Sequence, residues 1–168
     1  MDAKKEASGS RPATACAEYS FRQRFRVPAG WAFRWCIDYS PDDWKTTGAY
    51  SSRAVDWRGP RTVVLDDALP GPGGELVHKV KIVQIYPRTR EWVSTHIEGP
   101  RLHSQFRYTI SPDGPSASVL RFEGRELSWT GSPLSHRANA RLSQKLRAED
   151  SGLWKKLAKE MERDYRER

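Results

Sequence analysis

The stretch from Ser132 to Arg168 constrains the rest of the chain more than any other. Leu134, Ala138, Leu142 and Leu146 recur at every fourth position, and Leu153, Leu157 and Met161 resume the stripe beyond Gly152. Arg137, Arg141, Lys145, Lys155, Lys156, Lys159, Glu160 and Glu162 fall between them. This spacing predicts a long helix with one apolar face. Ser132 is suited to cap its start and Pro133 to its first turn. A glycine inside a helix costs roughly 1 kcal/mol relative to alanine, so a break at Gly152 and a helix running through it both remain open. A lone amphipathic helix of this length needs a broad apolar surface against its stripe.

The preceding residues supply strands. From Glu18 to Val27, Tyr19, Phe21, Gln23, Phe25 and Val27 alternate with Arg22, Arg24 and Arg26, the pattern of a half-buried strand with one basic face. Pro28 ends that strand. Trp31, Ala32, Trp35 and Cys36 then follow helical spacing, and residues Asp42 to Gly48 suggest a second short helix or turn. Six strands are predicted next: Arg53 to Trp57, Thr62 to Asp66, Leu76 to Tyr86, Glu91 to Glu98, Leu102 to Ile110 and Ala117 to Leu127. Arg58-Gly59-Pro60, Pro87-Arg88-Thr89, Gly99-Pro100 and Ser111-Pro112-Asp113-Gly114-Pro115 separate them, apart from a longer Pro/Gly loop at 69–74. Tight turns between successive strands imply an antiparallel meander. The expected fold is α+β: a curved antiparallel sheet of about seven strands, with two short helices after the first strand, wrapped around the long C-terminal helix. Residues 1–16 are expected to form a flexible tail and residues 17–168 a single domain.

At 168 residues with seven Trp, the chain has enough bulky apolar material for a real core. Its net charge of +8 admits nucleic acid, anionic lipid or an acidic partner, and selects none of them. Cys16 and Cys36 lack CxxC spacing and read as reduced thiols. No leader-like apolar run follows Lys4 and Lys5, and no window reaches the length of a membrane span, so a cytoplasmic location is expected. His96 and His103 straddle a turn without zinc-site spacing, and no phosphate-binding loop or nucleophile motif is present, so no metal and no cofactor are expected.

The element order resembles the START-like or SRPBCC superfamily of helix-grip proteins, which includes polyketide cyclases and dehydrases and lipid-transfer domains. The resemblance is carried by Phe25-Arg-Val-Pro-Ala-Gly-Trp-Ala-Phe-Arg-Trp-Cys-Ile-Asp-Tyr39, with Pro28 and Asp38 at the family's usual places, and by Asp150-Ser-Gly-Leu-Trp-Lys-Lys-Leu-Ala-Lys-Glu160 in the closing helix. It implies a site for hydrophobic or amphipathic small molecules between sheet and helix, and, in some relatives, catalysis there.

Alternation names the expected inner residues: Phe21, Gln23 and Phe25 from the first strand; His78, Val80, Ile82 and Gln84 from the long strand; Phe106, Tyr108 and Ile110; and Leu120 and Phe122. Thr95, and Leu142 and Leu146 of the helix stripe, complete the expected lining, and Phe21, Gln23 and Ile110 are left out of the expected ligand-contact set. Lys79, Lys81, Arg107, Arg121 and Glu123 are expected outside. The phase of Glu91 to Glu98 is ambiguous, with Val93, Thr95 and Ile97 the more apolar set and His96 expected outside. His78 and Tyr108 are the weak catalytic candidates, although His78 fits a hydrogen-bonded core histidine as well. The seven Trp are expected in the core and at the cavity rim. The leading expectation is binding, with transport or sensing as possible uses, of a hydrophobic or amphipathic small molecule. The alternatives are a cyclase/dehydrase-like enzyme in the same cavity, and a protein- or nucleic-acid-binding module using the basic strand faces.

Overall fold

The computed structural model describes residues 13–48, 51–129 and 131–168. The elements run β1 (Ala15–Phe25), α1 (Ala29–Ile37), α2 (Asp43–Thr47), β2 (Ser52–Gly59), β3 (Thr62–Pro70), β4 (Leu76–Tyr86), β5 (Glu91–Glu98), β6 (Gln105–Pro112), β7 (Ser118–Ser128) and α3 (His136–Arg166). All seven strands belong to one antiparallel sheet in the order β1-β7-β6-β5-β4-β3-β2. This is the helix-grip arrangement: β2 to β7 form a meander, and β1 joins its far edge by pairing Ala15 with Ser128 through to Phe25 with Ser118. Most of the tail expected at residues 1–16 lies outside the described residues; within them, Thr14 already donates its backbone N–H to Ser128 and Ala15 opens β1.

Helix α3 is continuous through Gly152, but it starts later than its sequence suggests. Ser135, rather than Ser132, is the N-cap, and its hydroxyl accepts from the Ala138 N–H at 3.2 Å. Leu134 therefore precedes the helix and is exposed. The buried face is Leu146, Trp154, Ala158 and Met161, with Leu142, Leu157 and Tyr165 at its margins. The stripe thus runs through Trp154 and Ala158, at i+4 spacing from Asp150, where a reading of Leu and Met alone misses them.

Helix α1 starts directly after Pro28, whose carbonyl accepts from the Trp31 and Ala32 N–H groups. It buries Ala29, Ala32 and Phe33. At its other end Trp35 Nε1 donates to Asp164 Oδ2 at 2.9 Å, and Trp31 meets the Tyr165 ring edge-on at 5.1 Å, so α1 is fastened to the last turns of α3. Two register shifts interrupt the ladder, at Trp57/Gly59 and at Val80/Lys81. Bulges of this kind increase twist and bend a strand. No described helix is long and apolar enough to cross a membrane.

The inner faces of β1, β6 and β7 are as expected: Phe21, Phe25, Phe106, Ile110, Leu120 and Phe122 are buried. Strand β4 is the correction. Val83 and Ile85 are its buried residues, and Lys79 and Lys81 share their face. His78, Val80, Ile82 and Gln84 therefore lie on the opposite, convex face. Both phases of β4 carry apolar residues, so hydrophobicity alone does not set its orientation. The inner face of β3 settles it: Asp67 lies there with Val63 and Leu65 and is fully buried, and a buried carboxylate requires cations beside it. Strand β5 likewise turns Trp92, Ser94 and His96 inward; His96 is 4% exposed, against the expectation that it lies outside.

Candidate functional site

A cavity of about 380 Å³ lies between the β3–β6 part of the sheet, helix α1, the α1–α2 connection and the C-terminal half of α3. Its volume falls within the usual range for small-molecule pockets. Two kinds of wall meet in it. One is aromatic: Trp35, Tyr39, Trp92, Tyr108 and Trp154, with Leu65, Val83 and Leu157 between them. Trp92 and Tyr108, directly paired across β5 and β6, stack with 4.8 Å between ring centroids and 2° between planes. Trp154 reaches down from α3 to 5.8 Å from Tyr108 and 6.5 Å from Trp92.

The other wall is charged. Arg53 on β2 and Asp67 on β3 face each other in register. Arg53 grips the Asp67 carboxylate with two donors, Nε to Oδ1 at 2.6 Å and Nη2 to Oδ2 at 3.2 Å. Its third nitrogen, Nη1, donates to Asp43 Oδ2 of α2 at 2.8 Å. Lys81 Nζ of β4 lies 2.7 Å from Asp67 Oδ2. The side chains of Arg53, Asp67 and Lys81 are 8%, 0% and 16% exposed, so this is a buried ionic cluster rather than a surface one. A fork-shaped guanidinium on a carboxylate is the strongest geometry available to such a pair.

The environment shifts the groups that line the space. Burial pushes the Lys81 amine down to about 8, with Lys79 and Arg53 acting in the same direction and Asp67 opposing them. Burial raises the Asp67 carboxyl, but its bonds to Arg53 and the charges of Lys81 and Arg53 outweigh that and hold it below the usual carboxylate value. Burial likewise raises Asp43, against Ser40 and Arg53. Cys36, Tyr39 and Tyr108 are all pushed up, burial being the largest cause for each. These three groups stay protonated at neutral pH and act as hydrogen-bond donors or apolar surface.

Of the residues expected from the sequence to line a site, Tyr108 is at this cavity. Phe25, Phe106, Leu120, Phe122 and Leu146 are buried in the packed core, and Leu142 borders it. His78 is on the convex face with Nδ1 2.9 Å from Asp66 Oδ1. Thr95 is also on that face, where its hydroxyl accepts from Gln105 Nε2 at 3.2 Å, and Gln84 is exposed. Sequence reasoning missed Arg53, placed Lys81 outside, left Ser94 on the unassigned face of β5, and had Trp92 and Trp154 only as members of the core or cavity rim. The legible signal for the charged ones was Asp67, an acid in phase with Val63 and Leu65, flanked by basic residues on both neighbouring strands.

A second polar group lies under the N-terminal half of α3. Tyr19 donates its hydroxyl to Asp150 Oδ2 at 2.5 Å, and Arg101 Nε lies 3.1 Å from Glu126 Oε1. Arg101 occupies a left-handed backbone position, φ 65°, and its side chain remains 43% exposed. His96 is held neutral by burial and by Lys79, Lys81 and Arg101, its pKa lowered to about 3. The described residues contain no group of three or more acidic, His or Cys side chains arranged to hold a metal ion.

No protein-family model matches the chain, and no curated protein sequence matches it. Solved structures do. The Zhui aromatase/cyclase from Streptomyces aligns over 88% of this chain and 94% of its own, with a TM-score of 0.71 at 12% identity. A START superfamily protein from Mycobacterium smegmatis aligns over 87% and 97%, with a TM-score of 0.66 at 16% identity. The di-domain aromatase/cyclase StfQ of the steffimycin biosynthetic pathway aligns over 92% of this chain and 53% of its own, with a TM-score of 0.72 at 13% identity. At these identities the likeness is one of fold: the chain has the START-like helix-grip fold.

Proposed function

We propose that this chain binds a hydrophobic or amphipathic small molecule in the cavity between the sheet and helix α3. One observation carries the reading: a cavity of about 380 Å³ is lined by both an aromatic and a charged set of residues. Apolar lining with a few convergent polar groups is the common make-up of small-molecule sites. The apolar body of a ligand rests against Trp35, Trp92, Tyr108 and Trp154, and its polar end points to Arg53 and Lys81. Burying about 200 Å² of apolar ligand surface gains roughly 5 kcal/mol before ordering costs. Proteins of the same fold that carry aromatase/cyclase names make a cyclase/dehydrase-like reaction the second reading. It rests on Tyr108 within the cavity, because His78 is on the other side of the sheet.

Uptake of anilinonaphthalene sulfonate tests the cavity. Ser94 is 6% exposed and faces the space from β5, so Ser94→Trp should fill it. The wild type should take up the dye, Ser94→Trp should weaken uptake about tenfold or more, equivalent to about 1.4 kcal/mol, and Arg22→Ala on the convex face should leave it unchanged. Absence of uptake by the wild type, or a folded Ser94→Trp protein that binds as well as the wild type, removes the cavity reading.

A further inference from the structure

We propose that Lys81 is a carbonyl-capturing amine, and that the cavity takes apolar aldehydes or ketones and holds them as an imine on Lys81. The proposal rests on the cavity reading and adds a chemistry to it.

Placement comes first. Lys81 lines the cavity from the inner face of β4, directly across the ladder from Leu65 and two residues from Val83, and Trp92 and Tyr108 line the same space. Lysines seldom occupy such positions, because desolvation of the ammonium is costly. Neutralising Asp67 does not explain its presence. Both Asp67 oxygens are already held by Arg53, and Lys81 adds a third donor to a carboxylate that a bidentate guanidinium has paired.

The surroundings favour an uncharged amine. Arg53 faces Lys81 from β2, Asp67 from β3, Lys79 along β4 and neutral His96 from β5. Tyr108 on β6 and Cys36 and Tyr39 at the end of α1 are protonated, while Asp38, Asp43 and Asp164 complete the rim. Burial and the two neighbouring cations together leave an appreciable neutral fraction near pH 8, where an ordinary lysine with a pKa of about 10.4 has almost none. Desolvation and a second cation are the two standard ways to activate a lysine nucleophile.

The step balances within the existing network. The Lys81 ammonium releases one proton to water, and the neutral amine attacks the carbonyl carbon, forming a C–N bond while the carbonyl π electrons move to oxygen; the released proton returns to nitrogen in the product. Two hydrogens pass from nitrogen to that oxygen, the C–O bond breaks, and water leaves. Starting from the ammonium, the product is an iminium with the same single positive charge and one N–H. That N–H can donate to Asp67 as the ammonium does, so capture keeps the charge balance of the cluster. The carbonyl substituent projects among Trp92, Tyr108 and Trp154.

The test is reductive trapping on the intact chain. Wild-type protein is treated with naphthaldehyde and cyanoborohydride at neutral pH, and every lysine peptide is mapped by mass spectrometry. Lys81 should be labelled about tenfold or more over the exposed Lys155 and Lys156, as expected of a desolvated, activated amine. Excess anilinonaphthalene sulfonate should suppress labelling at Lys81 and leave the other two unchanged. Lys81→Arg should lose the adduct at that peptide, but the wild-type map decides even if the variant does not fold. Dye uptake with Lys81 labelled no more than Lys155 and Lys156 overturns the chemistry and leaves the cavity standing. Loss of dye uptake as well overturns both.

Discussion

The two halves of the concave face use the same helix in opposite ways. Beneath the N-terminal half of α3, β1, β7 and β6 fill the interior with rings: Phe21 stacks on Phe122 at 4.6 Å, Tyr19 and Phe106 approach Phe122 to 5.6 and 5.9 Å, and Tyr108, at 5.1 Å, is shared with the cavity wall. Beneath its C-terminal half, β2 to β5 leave space open and place Arg53, Asp67 and Lys81 beside it. Aromatic packing in the first half gains stability from every contact. The second half forgoes that packing and carries buried charges that apolar residues could replace at no loss, since buried ion pairs often do not outperform a well-packed hydrophobic substitute. On the proposed reading, the arrangement at the cavity wall serves a ligand, and the filled half serves stability.

Asp67→Asn should give the largest effect. It removes the carboxylate between two buried cations and should cost about 3 to 5 kcal/mol in chemical denaturation, as breaking a buried ion pair does. Its pH dependence follows from the pairing. The folded carboxyl is held below its ordinary value of about 3.9, so its contribution is present above that value and is lost as pH falls through the folded one. The wild type should therefore lose stability below about pH 4 through this group, and the difference between wild type and Asp67→Asn should shrink there. A cost below about 1 kcal/mol at neutral pH would mean a well-hydrated cluster and would erase the contrast between the halves.

Gly124→Ala probes the filled half and should have a middle-sized effect. A Cβ on Gly124 would come within 2.9 Å of Phe122 Cε1, 3.0 Å of Tyr19 Cζ and 3.2 Å of Phe106 Cδ1. Those rings are themselves packed together, so none can withdraw alone, and overpacking of this kind costs about 1 to 3 kcal/mol. The melting temperature should fall while dye affinity in the other half is unchanged. A stable variant with weakened uptake would show that the two halves are one continuous space.

The filled half was legible in the sequence and the open half was not. Strands β1, β6 and β7 each set an apolar phase against a charged one, so Phe21, Phe25, Phe106 and Phe122 could be placed inside from alternation alone. The boundaries of β4 and β5 were legible too, because the Tyr86–Glu91 connection carries its own turn residues. The facing of β4 was not legible, because Lys79 and Lys81 look like an outer row until Asp67 is recognised as an inner acid. Trp154 was hidden for a related reason: the helix stripe shifts from Leu142 and Leu146 to Trp154 and Ala158, and leucine spacing alone points to Leu153 instead. Hydrophobic patterning reports where a core is filled. A site built from paired charges breaks that pattern, and it becomes readable only when the partner on the adjacent strand is considered together with it.

Gly152→Ala should have the smallest effect, and the opposite sign. Gly152 is in the helix interior between Asp150, held by Tyr19 over the filled half, and Trp154, which hangs over the cavity. An added Cβ meets no atom within 4 Å there, in contrast to Gly124. With no clash to offset it, the helix preference of alanine over glycine should raise stability by about 1 kcal/mol. A rigid site should bind the dye with unchanged affinity and rate. If Gly152→Ala is more stable yet admits the dye several-fold more slowly, the glycine is instead the point at which the C-terminal half of α3 yields to let a ligand in. The two halves would then differ in mobility as well as in packing, because the anchored segment ends at Asp150. A loss of stability would mean that the helix lies closer to its neighbours at this point than the open space around Gly152 indicates.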